Sequence, residues 1–382
     1  MPWNHTDREN ERLKFVATVQ EGLYKMSELC ARFGISRQTG YTLLHRYEAE
    51  GVCGLQDRSR APKHCPHRVP EEIQTLLLEA RRAHPFWGPK TIVAYLKGKH
   101  PKVTMPAPST VGDLFTRAGL VEPRPRRRNW SHPGKASIEV SEPNQLWSTD
   151  FKGQFRTGDG QICYPLTIAD AHTRFLLACD GLSSTAHLPA QVVFERVFRT
   201  YGLPQMIRSD NGVPFSSRAI AGLSRLSVWW TQIGIKHDRI EPSHPEQNGS
   251  HERMHRTLKK GTLLPPAPNG QVQQDRFDFF REEFDWERPH HALGMRTPGS
   301  LYTASTRELP ERVPEPEYPG HCRVRRVRAN GMVRFRDQEI FLSEVLMGLN
   351  VAFEEVDDGV WSIYFYDLLL ARLDERTFKL SG

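Results

Sequence analysis

Apolar residues recur at helical spacing through the first third of the chain and at strand spacing afterwards. In "SELCARFGISRQTGYTLLHRYEAEG", Leu29 and Phe33 share one helix face, and Tyr41, Leu44 and Tyr47 share another. Gly34 supplies the turn between them, Ile35 plugs it, and Gly51 stops the second helix. Ser27 and Ser36 stand where helix caps belong. The spacing predicts a helix-turn-helix whose second helix opens with Arg37, Gln38 and Thr39, followed by Tyr41. Arg37 and Gln38 have the donors and acceptors that read guanine, adenine and phosphate.

The helical texture repeats. A helix is predicted from about Glu71, a second opened by Pro89, and a third capped by Ser109 and ended by Gly119. Trp87 and Phe86 are expected in the core of this module. Lys90, Ser109 and Thr110 are its candidate DNA contacts. "EPRPRRRNWSHPGKAS" follows, a proline-broken run with Arg124, Arg126, Arg127 and Arg128 that reads as a phosphate-tracking linker.

From Asn144 the pattern shortens to strands: "QLWSTDFKG", "CYPLTIADAH" and "RFLLACDGL". A helix, the strand "PQMIRSD", a helix over roughly Ser217 to Ile233, and "IKHDRIE" come next, a mixed-sheet α/β order. A further helix is expected around Gln271 to Asp285. After His321 the residues alternate, with "NG" and "DDG" turns, which predicts a small β-barrel. The expected organisation is a multidomain α and α/β chain. It has a helix-turn-helix domain over 1–62, a second such module over 66–122, a linker over 123–143, a catalytic core over 144–306 and a barrel over 320–382.

Composition narrows the class. The 382 residues are 38% hydrophobic with mean hydropathy −0.56, and no apolar run has membrane-spanning length. The cysteines fall at 30, 53, 65, 163, 179 and 322 with no CxxC pair, so they read as reduced; "KHCPH" at 63–67 lacks a second ligand group. A cytoplasmic, nucleoid-associated protein is the expectation. Residues 1–130 hold 22 Lys and Arg against 13 Asp and Glu, a net of +9, and the rest hold 30 against 32, a net of −2. The basic front half suggests a nucleic-acid footprint.

Two acids end predicted strands: Asp150 in "LWSTD" and Asp210 in "MIRSD". On parallel neighbours they would meet at the carboxyl edge of the sheet. Carboxylates that close repel unless a cation lies between them, and Mg²⁺ favours oxygen ligands.

"WSTD", "IRSDNGVPF" and "HPEQNGSHERMHRTLK" resemble the integrase core of bacterial insertion-sequence transposases and retroviral integrases. "LCARFGISRQTGY", "DRSRAP" and "HPFWGPKTI" are similar to one group of those transposases, and the resemblance covers nearly the whole chain. It implies a ribonuclease-H-like core and a DDE triad holding two Mg²⁺ ions, with Mn²⁺ as a substitute. It also implies cleavage and strand transfer of double-stranded DNA at the terminal inverted repeats, by two-metal phosphoryl transfer without a covalent protein–DNA link. A dimer or tetramer on DNA is expected, because each chain carries one triad and an element has two ends.

Two glutamates compete for the third position. With 35 residues after Asp210, spacing favours Glu246; Glu252 lies after 41. The family's glutamate follows an Asn-Gly turn and opens a helix leading to Leu-Lys, and the residue in that register is Glu252. On a helix Glu252, Arg256 and Lys259 share a face. Glu252 is therefore chosen, with Glu246 as the alternative. Arg253, Arg256, Lys259 and Lys260 are candidate DNA contacts, and His237, His244 and His255 are expected to be phosphate contacts or solvated. A non-catalytic operator-binding regulator and a nuclease that cuts without joining are the competing readings.

Overall fold

The structure is a computed structural model that describes residues 8–58, 68–121, 138–217, 219–241 and 244–381, with the side chains of 245 and 246 excepted. The arginine run at 124–128 and the 63–67 cluster lie outside the described residues. The chain divides into two compact units, 1–68 and 69–382. No helix among the described residues is long and apolar enough to cross a membrane.

The first unit packs α1 (Arg8–Gln20), α2 (Met26–Arg32) and α3 (Arg37–Glu50) around Phe15, Val16, Leu29, Cys30 and Leu43. Ser36 caps α3, its hydroxyl accepting from the Thr39 amide at 3.1 Å. Ser27 does not cap: α2 starts one residue earlier, after Lys25, which offers no side-chain bond. Gly40 sits mid-helix because α3 crosses close to its neighbours; a Cβ there would lie 2.8 Å from Cys30 Sγ and 3.0 Å from the Phe15 ring.

The second unit begins with α4 (Glu71–Ala83), α5 (Pro89–Lys99) and α6 (Pro108–Arg117), packed on Leu77, Trp87, Ile92, Val111 and Phe115. Proline opens α5 and α6, where a missing N–H costs nothing. Ser109 therefore lies inside the first turn of α6 rather than at its cap. Trp87 is buried, but Phe86 is 48% exposed, against expectation. His84, stacked on Trp87, meets Glu283 of the core at 2.9 Å. This module is thus docked on the core of its own chain.

The core runs β1 (Leu146–Phe151), β2 (Phe155–Arg156), β3 (Ile162–Asp170), β4 (Leu176–Leu182), α7 (His187–Tyr201), β5 (Met206–Ser209), α8 (Arg225–Gln232), β6 (Lys236–Arg239), α9 (Gly249–Thr262) and α10 (Gly270–Glu282). The sheet order is β4-β3-β1-β5-β6, with β2 also on β3. β1 is antiparallel to β3 but parallel to β5, which is parallel to β6. α7 and α8 bury Phe194, Phe198 and Trp230 on one face. α9 and α10 bury Met254, Leu258 and Phe277 on the other. The central strands β1 and β5 bury apolar Leu146, Trp147 and Ile207 next to polar Ser148, Thr149, Arg208 and Ser209.

The helix expected over Ser217–Ile233 is confined to α8. Ala221 and Gly222 take positive φ, and the Ser217 hydroxyl donates to the Leu223 carbonyl, which folds the segment into a turn. Ser224 and Ser227 then cap α8 reciprocally.

The tail holds β7 (Arg323–Arg326), β8 (Met332–Phe335), β9 (Gln338–Phe341), β10 (Asn350–Asp357), β11 (Val360–Phe365), β12 (Leu368–Asp374) and β13 (Leu380–Ser381). The expected barrel takes the form of a five-stranded antiparallel sheet, β13-β12-β11-β10-β7, with the β8-β9 hairpin separate. Val333 and Phe335 of the hairpin pack on Phe353 and Trp361 of the sheet, and Leu223 and Val228 of the core join that cluster.

Candidate active site at the sheet edge

β1 and β5 pair in parallel with Ser148 opposite Arg208, so two residues further on Asp150, still paired with Thr167 of β3, comes beside Asp210 just past the end of β5. α9 begins after the Asn-Gly turn and places Glu252 in its first turn. The three acids share one electrostatic environment. The Asp150 carboxyl is pushed up to about 7, first by burial, then by the Asp210 carboxylate, with Glu252 adding in the same direction. Asp210 is exposed and accepts from the Gly212 amide at 3.1 Å. An acid raised by burial and further by neighbouring carboxylates is a site short of positive charge. An oxygen-rich donor set of this kind suits a hard divalent ion such as Mg²⁺.

Glu246 lies in a single turn over Pro245–Asn248 that precedes α9, and its side chain is outside the description. Arg253, Arg256, Lys259 and Lys260 are exposed on α9. Arg37, Gln38, Thr39 and Tyr41 are exposed on the start of α3. Lys90, Ser109 and Thr110 are exposed at the openings of α5 and α6, which lie together, since Gly112 abuts Pro89.

Of the three histidines expected as phosphate contacts or solvated residues, His244 is exposed but His237 and His255 are not. His255 is 3% exposed and is neither solvated nor at the surface. His237 bonds Ser209 at 2.8 Å, and burial holds its imidazole down to about 4. His251, not singled out at all, is 2% exposed. The signal was present: 251, 254, 255, 258 and 262 form one helical stripe, the buried face of α9. Both rings reach Thr167 of β3, His251 Nε2 at 2.7 Å and His255 Nε2 at 2.6 Å from its hydroxyl oxygen. That hydroxyl donates to the Asp150 carbonyl at 3.1 Å. His251 Nδ1 lies 2.9 Å from Ser148 Oγ.

One proton assignment satisfies these atoms. Both rings carry hydrogen on Nε2 and donate to Thr167, and Ser148 donates to His251 Nδ1. His255 Nδ1 then faces Asp150 Oδ2 at 3.6 Å as a bare acceptor. Burial keeps both rings neutral, with His251 down to about 3. The network thus grips β1 at Ser148 and at the Asp150 backbone, and fixes the strand beneath the carboxylate.

The chain matches several known families. Residues 140–245 and 233–298 match families described as Integrase core domain. Residues 11–63 match a Helix-turn-helix domain and 39–115 a Homeodomain-like domain. The chain is 28% identical over 298 residues to the insertion element IS476 uncharacterized 39.2 kDa protein of Xanthomonas euvesicatoria, covering 76% of this chain and 81% of that one. It is 31% identical over 128 residues to the Gag-Pol polyprotein of baboon endogenous virus, covering 34% of this chain but 7% of the polyprotein. Among solved structures, the HTLV-2 integrase catalytic core domain in complex with magnesium aligns at 15% identity and TM-score 0.33, over 42% of this chain and 97% of that one. The integrase-core matches cover the segment that carries Asp150, Asp210 and the α9 helix, and the helix-turn-helix matches cover the basic front half. An integrase core domain behind helix-turn-helix domains, with similarity to an insertion-element protein over 76% of the chain, supports a polynucleotidyl transferase, an insertion-sequence transposase of the DDE, integrase-core superfamily.

Proposed function

We propose that this transposase binds the terminal inverted repeats of its element and cuts and joins DNA strands at the Asp150, Asp210 and Glu252 edge. The observation that carries the reading is the parallel β1–β5 register that sets Asp150 beside Asp210, with Glu252 in the first turn of α9 near enough to act on the Asp150 carboxyl. Asp150, Asp210 and Glu252 would hold divalent metal, most simply two Mg²⁺. Bound there, the metal supplies Lewis-acid activation of a water or DNA 3′-hydroxyl and neutralises charge at the scissile phosphate. Asp150 binds in its deprotonated form, held in place by the Thr167–His251–His255 network behind it. Arg256, Lys259 and Lys260 lie along the exposed side of α9 and hold backbone phosphates beside the edge. No side-chain nucleophile is assigned, so cleavage proceeds without a covalent protein–DNA link.

Arg37, Gln38, Thr39 and Tyr41 on α3 read the repeat, with Lys90, Ser109 and Thr110 of the second module as further contacts. Arg124, Arg126, Arg127 and Arg128 add sequence-independent affinity. Each chain carries one triad and an element has two ends, so the active complex is a dimer or tetramer on DNA. It works in the cytoplasm at the nucleoid.

A strand-transfer assay on paired end DNA tests the reading. Joined products that depend on divalent metal support it. End binding with no cutting points to a regulator, and cutting with no joining points to a nuclease.

A further inference from the structure

α9 carries two polar stripes. Glu252, Arg256, Lys259 and Lys260 share one exposed side of the helix. Ser250, Arg253, Met254 and Thr257, at i, i+3, i+4 and i+7, lie about a quarter-turn or more away and line a cavity of about 200 Å³. Arg174 from the β3–β4 turn and Arg288 from the segment after α10 close the same cavity, together with His290. None of the three catalytic acids lines it.

Three guanidinium groups converge there without a carboxylate partner. None of Arg174, Arg253 and Arg288 makes an ion pair within 4.0 Å among the described residues. Glu283 is the carboxylate that acts on Arg288, and it is already bonded to His84. Asp170 lines the cavity, but its Oδ1 accepts from the Thr173 amide and hydroxyl, both at 2.7 Å, and its Oδ2 from the Asn144 amide at 2.8 Å. The crowding is felt. Burial and then the Arg253 charge lower the affinity of Arg174 for its proton. Burial, then Arg288, and further down Arg174, hold His290 down to about 4.

Arg174 also occupies left-handed backbone, φ 64, where a non-glycine residue is strained. Like charges gathered in a half-buried cavity are costly until an anion fills it. Guanidinium forks match the tetrahedral oxygens of phosphate.

We propose that Arg174, Arg253 and Arg288 form a pocket for one phosphoryl group, separate from the catalytic edge. The cavity has room for a phosphate but not for a base pair. A backbone phosphate of bound DNA and free inorganic phosphate share this chemistry. The choice of DNA as the source rests on the transposase reading; the pocket does not.

The test uses the full-length protein and the variants Arg174→Gln, Arg288→Gln and Arg174→Lys, with the exposed Arg225→Gln as control. Thermal melting with inorganic phosphate is compared with chloride at equal ionic strength. Binding to a random-sequence duplex is measured across salt concentrations. Phosphate should raise the melting temperature of the wild type and of Arg225→Gln, less so for Arg174→Lys, and not for the two glutamine variants. If DNA supplies the phosphate, each glutamine variant should bind about threefold to tenfold more weakly, and its log–log salt slope should fall by about one. A lost phosphate response with an unchanged DNA slope keeps the pocket and assigns it to free phosphate. No phosphate response in the wild type, with an unchanged DNA slope in every variant, overturns the proposal. Inactive or active triad variants leave these readouts untouched, so failure of the catalytic reading is separable.

Discussion

His255 Nε2 lies 2.6 Å from the hydroxyl oxygen of Thr167, and the same hydroxyl donates to the backbone carbonyl of Asp150. A helix from beyond the second acid is thereby fastened to the strand carrying the first. Replacing His255 with Leu should leave Thr167 short of a donor and loosen β1, with a loss of about 1–3 kcal/mol of stability. His255→Gln, which can still donate to Thr167, should recover most of it. Chemical denaturation of both variants checks this, and equal stabilities would contradict the network.

Stability of the metal-free protein should peak near pH 6.5. His237, His251, His255 and His290 are depressed below their ordinary 6.5. The unfolded chain therefore takes up protons first as pH falls, and their contribution is lost from about 6.5 downward. Asp150 and Asp285 are raised to about 7 and about 8. Their contribution is fully present below the ordinary carboxylate range and is lost as pH rises to those values. Four groups against two make stability rise from about pH 4 to 6.5, and the acids alone make it fall just above. A melting-temperature profile tests the shape. Asp150→Asn should flatten the upper arm, and Mg²⁺ should stabilise the wild type more at pH 7.5 than at pH 5.

Gly202 ends α7 at φ 76, and a Cβ there would sit 2.5 Å from the Ser305 carbonyl and 2.8 Å from that of Arg307. Gly202→Ala should cost about 1–3 kcal/mol. A variant as stable as the wild type in denaturant would show that the 305–307 segment does not pack there.

Two kinds of DNA contact are proposed, base reading at the exposed start of α3 and phosphate tracking by the arginine run. Arg37→Ala with Gln38→Ala should erode preference for the true end, by roughly 1–3 kcal/mol for each lost base contact. Arg126, Arg127 and Arg128 to Ala should weaken all DNA alike and flatten the salt dependence. Competition binding with end and random duplexes checks both. Equal loss on both duplexes from the α3 change would remove base reading from that helix.

Much of the fold was legible because local signals agreed with one another. Ser36, Gly34 and Gly51 punctuate α3 as their chemistry requires, and Trp147 and Ile207 anchor their strands in the core. The misses are tertiary. Ser27 and Ser109 are cap residues by type, but Lys25 and the prolines set the helix starts. Phe86 has the composition of a core residue and lies exposed beside Trp87. The 217–223 turn depends on the positive φ of Ala221, which no pattern announces. At the site, strand-end position was enough to bring Asp150 and Asp210 together. His251 and His255 were misjudged because they were weighed as single polar residues rather than as the buried stripe of α9. The arginine pocket joins residues 174, 253 and 288, a grouping that only the folded chain reveals.

The proposed site joins Asp150, Asp210 and Glu252 on DNA, with Glu252 and not Glu246 as the third acid. Mg²⁺-dependent nicking of end DNA by Asp150→Asn, Asp210→Asn, Glu252→Gln and Glu246→Gln measures it directly, with end binding followed in parallel. The first three should lose nicking by at least about a thousandfold while still binding ends, and Glu246→Gln should keep substantial activity. An inactive Glu246→Gln beside an active Glu252→Gln would contradict the assignment.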